Sequence, residues 1–262
     1  MNFNYQLRYS KTGRARFISH LDTLSCLARA IRRTGFELAF TQGMRPKPIL
    51  SLAMPLGVGV EGEDEICDFS LRQRAPLNDL ARKLQSELPR GMALKSVGLS
   101  FDRAKAASRV ESCGYRIDLD SPATDYADAV NSYNLAGELI ILRKRPKGDK
   151  EVDIKKYVES LDLAEGGGLC FTMKVTAKGT ARPDEIVRAL SDFSGKELRA
   201  ARIVRTGIEL AEEEQPSAPG YGNRSGRIAG RPGGRSSGRH SSRSSGRHGN
   251  HPGGRSSRRG RS

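Results

Sequence analysis

Apolar and polar residues alternate over residues 3–9, with Phe3, Tyr5, Leu7 and Tyr9 set against Asn4, Gln6 and Arg8. A period of two predicts a half-buried strand. "SKTGRA" then reads as a turn, and Arg16–Ile18 as a return to extended chain. Ser19 is placed as a helix N-cap with Asp22 three residues on, the aspartate form of a capping box. Leu21, Leu24, Ala28 and Ile31 follow at spacings of three and four, which predicts one apolar helix face. Arg32 and Arg33 fall in the last turn, where positive charge suits the helix dipole, and Gly35 stands at the C′ position. "FELAF" (36–40), "ILSLAM" (49–54) and "EICDFSL" (65–71) read as strands, the first two separated by the loop "TQGMRPKP". "PLNDLARKLQSEL" (76–88) is a helix opened by Pro76, and "MALKSVGLS" (92–100) closes the unit.

The order is roughly β-α-β-β-α-β, with one strand more than that between the helices, a split βαβ arrangement. A second, fainter copy follows. "YRIDLD" (115–120) is a strand and residues 123–136 a helix. "ELIILRK" (138–144) and "KEVDIKKYVESLDLA" (150–164) read as a basic-tipped hairpin, "LCFTMKVT" (169–176) as a strand, and "RPDEIVRALSDF" (182–193) as a helix with Pro183 near its start. "ARIVRTGIEL" (201–210) ends the patterned chain. The expected fold is α+β: two tandem ferredoxin-like halves with antiparallel sheets, over residues 1–110 and 111–212. Beyond "AEEEQP" the sequence turns to Gly, Ser and Arg and repeats "PGGRSS" at 232–237 and 252–257. With almost no apolar residues to offset the entropy of ordering, residues 213–262 are expected to be disordered.

Charge follows the same division. Between Pro216 and Ser262 there are 11 arginines and neither lysine nor acid, which leaves 34 basic and 30 acidic residues elsewhere. The patterned body is therefore only mildly basic, and the high net charge belongs to the tail. Cys26, Cys67, Cys113 and Cys170 form no CxxC pair, so reduced, mostly buried thiols are expected rather than a disulfide framework or a metal site. The longest apolar run, "ILSLAMPLGVGV" (49–60), is too short and too interrupted to span a bilayer, and "MNFNYQLRYS" is a strand rather than a leader. A cytoplasmic protein without a membrane role is expected.

Five features bear on chemistry. "GVGVEG" (57–62) matches G-x-G-x-x-G, but it runs into Glu63-Asp64-Glu65 and a strand, whereas pyrophosphate needs a helix N-terminus. His20 is the only histidine before residue 240. It reads first as part of the helix start, then as an anion contact, and only last as a catalytic base, because Asp22 is poorly placed to orient it. Arg14 and Arg16, with Arg45 and Lys47 on a proline-flanked loop, are expected to converge beside His20 as an anion-binding face. Arg143, Lys144, Arg145, Lys147 and Lys150 form a denser patch at the hairpin tip. In the tail, Arg231, Arg235, Arg239, Arg243, Arg247, Arg255, Arg258 and Arg259 are spaced by Gly and Ser, which suits the backbone of RNA or another polyanion. Tyr221 is the tail's only aromatic, so base stacking is not expected there.

"YQLRYSKTGRARFISHLDTLSCLARAIRRTG" and "TQGMRPKPILSLAMPLGVGVEGEDEICDFSL" together resemble the bacterial radical SAM-linked, or radical SAM-associated, proteins. "RKRPKGDKEVDIKKYV" and "TARPDEIVRAL" extend the resemblance over about residues 3–210. It implies a radical SAM protein as partner, since such domains are fused to one or encoded beside one. The iron–sulfur cluster and S-adenosylmethionine would belong to that partner, because this chain lacks CxxxCxxC and no cofactor of its own is expected. Where relatives read near "GFNPHPKxSF", this chain has "GMRPKPILSL" (43–52), which suits an anion rather than a metal. Three functions follow as expectations. The first is a non-catalytic accessory protein that docks the partner or its substrate, with the tail binding RNA. The second is a metal-independent RNA-processing enzyme using His20, and the third a pure protein-interaction module.

Overall fold

The computed structural model describes residues 2–102, 104–146, 148–164 and 167–212. Strand β1 (Phe3–Lys11) keeps the expected alternation, with Tyr5, Leu7, Tyr9 and also Lys11 buried. Helix α1 (His20–Arg33) begins at Ser19, whose Oγ accepts the Asp22 N–H at 3.2 Å, and ends before Gly35, whose φ of 83° requires a residue without Cβ. Its buried face differs in part from expectation. Ile31 is buried and Leu24 and Ala28 pack half-buried against the core as expected, but Leu21 is 72% exposed and Thr23, Leu27 and Ala30 are buried in addition. Residues 36–40 are not a strand. Their backbone bonds are divided between two partners, since Ala39 N–H donates to Ser70 O and Ile49 N–H to Ala39 O, leaving only isolated bridges. β2 is confined to Leu50–Leu52, and β3 (Val60–Leu71) starts five residues earlier than expected. Helix α2 (Leu77–Glu87) and β4 (Met92–Leu99) follow as read.

The second half comprises β5 (Val110–Leu119), α3 (Ala127–Leu135), β6 (Ile140–Arg143), β7 (Lys150–Asp153), β8 (Asp162–Leu163), β9 (Leu169–Lys174), α4 (Pro183–Ser194) and β10 (Ala200–Leu210). The hairpin is shorter than expected. Asp153 accepts the Lys155 N–H and starts a 3-10 turn, and the chain then crosses to pair β8 with β9.

One sheet runs through both halves in the order β4-β1-β3-β10-β5-β9-β8, with β2 beside β3 and β6–β7 forming a separate ribbon. All pairs are antiparallel except β3–β10, which joins the halves through Val60–Gly62 and Ile203–Arg205. The fold is thus α+β, a large, mostly antiparallel sheet with four α-helices among the described residues. In each half the sheet order is last, first, third, second strand. One core packs α1 and α2 residues (Leu27, Ile31, Leu80, Leu84) on Tyr5, Leu7 and Phe69. The other packs α3 and α4 residues (Val130, Tyr133, Ile186, Leu190) on Ile117, Leu169 and Met173. Residues 213–262, for which disorder was expected, lie outside the described residues.

Candidate functional site

The strand register separates the residues expected to converge. β1 pairs Phe3 with Leu71 at one end and Lys11 with Gly62 at the other. Leu38 bridges to Leu71, so the loop carrying Arg45 and Lys47 lies toward the Phe3 end, whereas Arg14, Arg16 and His20 follow Lys11. Eight residue steps along a strand span roughly 25 Å. Arg45 and Lys47 therefore do not share a face with the other three, and both stand exposed on their own loop. That loop is closed at its neck by Thr41 N–H to Lys47 O (2.8 Å) and Lys47 N–H to Thr41 Oγ1 (3.0 Å).

At the other end, residues Gly13–Phe17 coil into a 3-10 turn, so the expected turn runs on through Arg16 and Phe17, which were expected to be extended. Among the contacts that hold it, Lys11 Nζ donates to Ile18 O at 2.8 Å, and Gly13 N–H donates to Glu61 Oε1 at 3.2 Å. Arg16 lies 3.4 Å from Glu61 and over the Phe17 ring at 4.8 Å. Glu61 is almost wholly buried and also receives both Nε (3.1 Å) and Nη2 (2.7 Å) of Arg202 from β10. Burial works against its charge, but Arg202, Gly13 N–H and Arg16 prevail and hold its carboxyl below the usual range. A group whose folded pKa is depressed contributes stability above its unfolded value of 4.5, and that contribution is lost as pH falls through the folded value. Glu61→Gln should cost about 2 kcal/mol at pH 7, and the gap between variant and wild type should narrow below that point. Urea titrations at pH 7 and pH 3 check this, and an unchanged gap would contradict it.

Deeper in the same seam, Arg205 and Glu65 are both inaccessible, with side chains 1% and 3% exposed. Arg205 Nε donates to Glu65 Oε1 at 2.8 Å and its Nη2 to Oε2, while Nη2 also donates to the Met54 carbonyl (3.0 Å) and Nη1 to the Pro55 carbonyl (3.3 Å). Lys11 is buried beside them. Burial pushes its pKa down and Arg205 adds to this, against the pull of Glu65. The Tyr9 hydroxyl is pushed up by burial and by Glu65, and burial raises the Cys113 thiol to about 11. These groups clamp one half to the other. They are closed to solvent, so they hold the site rather than react in it.

His20 is half-buried, and its Nδ1 has no hydrogen-bond partner. The Asp22 carboxylate takes the Ser19 hydroxyl at 2.7 Å, so it does not orient the imidazole. Arg143 is corrected as a nucleic-acid contact. Its guanidinium is buried against Glu185, with Nε–Oε1 and Nη2–Oε2 both 2.6 Å and a further bond to Thr180 O. Lys144, Arg145 and Lys150 are exposed, while Lys147 and the tail arginines lie outside the described residues. Among the described residues no group of three or more His, Cys, Asp or Glu is placed to hold a metal ion, and the four cysteines are free. No described helix is long and apolar enough to cross a membrane. A polar groove of ≈ 710 Å³ crosses the sheet over Arg8, Asp64, Ser112, Thr206 and Glu209. Arg8 is tied to Asp64 at 2.6 Å, and none of the lining residues is aromatic.

What this end of the molecule presents outward is apolar. Val60 N–H returns to Gly57 O at 3.2 Å with Gly59 at φ 87°, a turn that needs glycine at its third position and holds Val58 at its tip. Gly59 N–H donates to Arg16 O at 2.9 Å, fastening this turn to the one bearing Phe17. Phe17, Leu21 and Val58 are 59%, 72% and 64% exposed.

Fold and site together define an α+β protein with an ion-paired seam between two halves. The chain belongs to the family described as "Uncharacterized protein conserved in bacteria (DUF2344)", whose model matches residues 4–187. A comparison with curated proteins returned no match. Among solved structures, one described as "Crystal Structure of an Unknown Protein from Galdieria sulphuraria" is 15% identical with a TM-score of 0.25, covering 77% of this chain and 99% of that one.

Proposed function

We propose that this protein is a non-catalytic accessory protein of a radical SAM system. On this reading each half is a ferredoxin-like unit, the body docks the radical SAM protein or that protein's substrate, and residues 213–262 add affinity for RNA or another polyanion. The strand order in each half supports the first part. The docking rests on one observation: the stretch with the most specific resemblance, residues 14–35, spends Arg16 and Ser19 on internal contacts but leaves Phe17 and Leu21 in solvent. Side chains of that size exposed together mark an interaction surface more often than a catalytic one. The cluster and S-adenosylmethionine belong to the partner.

The test is titration of the full-length chain into the purified radical SAM protein from the same bacterium, followed by calorimetry. Saturable binding is expected. Its absence would sink the reading. Incubation with cellular RNA in EDTA addresses the enzymatic alternative, because cleavage abolished in His20→Ala would replace an accessory role with a catalytic one.

A further inference from the structure

We infer that Phe17, Leu21 and Val58 form one docking surface, and that it receives an acidic, amphipathic segment of a partner protein. The inference rests on the accessory reading and adds where the partner binds and what chemistry it brings. Three separate pieces of chain supply the surface: the 3-10 turn after β1, the first turn of α1, and the Gly57–Val60 turn before β3. None of the three side chains is exposed by fraying. Phe17 is held by Arg16 lying over its ring, Leu21 by the Ser19 cap, and Val58 by the two backbone bonds that close and fasten its turn. A preformed surface loses little entropy when a partner covers it.

The surrounding charge selects the partner. Arg14 is exposed on the same turn as Phe17, and no described carboxylate pairs with it. The Arg16 side chain is 30% exposed and that of Arg202 40%, and both draw on a single buried carboxylate, Glu61. Asp22, next to Leu21 in the chain, is engaged by the Ser19 hydroxyl. An apolar strip with arginines on its flank is complemented by a helix or extended segment bearing apolar residues on one side and carboxylates beside them.

The experiment uses full-length protein against the purified radical SAM protein, with affinity read by calorimetry at two salt concentrations. The double variant Phe17→Ser/Leu21→Ser should weaken binding at least about tenfold, since each side chain loses its burial. Val58→Ser should weaken it less, and Arg14→Glu should weaken it and flatten its salt dependence. Met44→Ser, on the loop at the far end of β1, should bind as wild type does. If the double variant binds as tightly as wild type, the surface is wrong while the accessory reading stands. If wild type itself does not bind, both fall. Wild-type binding to phosphatidylserine–phosphatidylcholine vesicles that the double variant loses would assign the surface to lipid and overturn the inference. Thermal melts of each variant exclude misfolding, because all the substituted side chains are exposed.

Discussion

Glu65→Ala should lower the unfolding free energy by about 3–5 kcal/mol, the largest stability effect expected from a single side chain here. It would leave the Arg205 guanidinium charged, inaccessible and without its carboxylate, with neutral groups such as the Met54 and Pro55 carbonyls and the Tyr115 hydroxyl as its partners. Lys11 makes the loss worse, because Glu65 is the negative charge that favours its protonated form while Arg205 opposes it. The pair as a whole is a different matter. Two ions moved out of water lose hydration that their mutual attraction only partly returns, so Glu65→Leu/Arg205→Met should recover most of the deficit. Recovery will be incomplete, since the double variant strands two carbonyls that Arg205 now satisfies. Urea unfolding followed by circular dichroism checks both results. A Glu65→Ala variant within 1 kcal/mol of wild type, on the order of an exposed pair's worth, would show that the seam is hydrated.

That seam was also the least legible part of the sequence. β1, α2 and β4 could be read because their signals are local: alternation, leucine spacing and an opening proline. The Ser19 cap and Gly35 stop could be read for the same reason. The face of α1 could not be fixed, because Leu24, Leu27 and Ala28 offer two overlapping stripes and Thr23 looks polar yet turns inward. "FELAF" has strand character, but whether it pairs depends on Leu71 and Pro48, which lie elsewhere in the chain. The acidic stretch "EGEDE" reads only as a run into a strand that does not suit pyrophosphate. Two of its carboxylates are instead buried counter-ions for arginines about 140 positions away. The spacing in "RIVR" hints that Arg202 and Arg205 share a role, but nothing local names their partners. Arg143 shows the same limit: in "RKRPK" it looks like one more surface cation until Glu185 of α4 reaches it.

Removal of residues 213–262 should remove most of the salt-sensitive RNA binding. Each arginine that neutralises a phosphate releases a counter-ion, so affinity falls with a power of the salt concentration set by the number of contacts. If six to ten of the tail's arginines engage at once, affinity should fall by roughly 10³–10⁵ between 50 and 200 mM salt. Several cations of the body are already engaged. Arg16 and Arg202 share Glu61, Arg143 is closed in by Glu185, and Arg8 on the sheet is tied to Asp64. No aromatic side chain lines the sheet groove to stack a base. Residues 1–212 should therefore bind a single-stranded RNA probe weakly and with a shallow salt slope, as fluorescence anisotropy over a salt series would show. Equal affinities and equal slopes for the two lengths would remove the tail from the reading and move polyanion binding to the exposed cations of the body, Arg14 and Lys144 among them. A duplex DNA probe of matched length decides the remaining chemistry. Arginines spaced by glycine and serine recognise charge rather than base sequence, so both nucleic acids should compete for the tail.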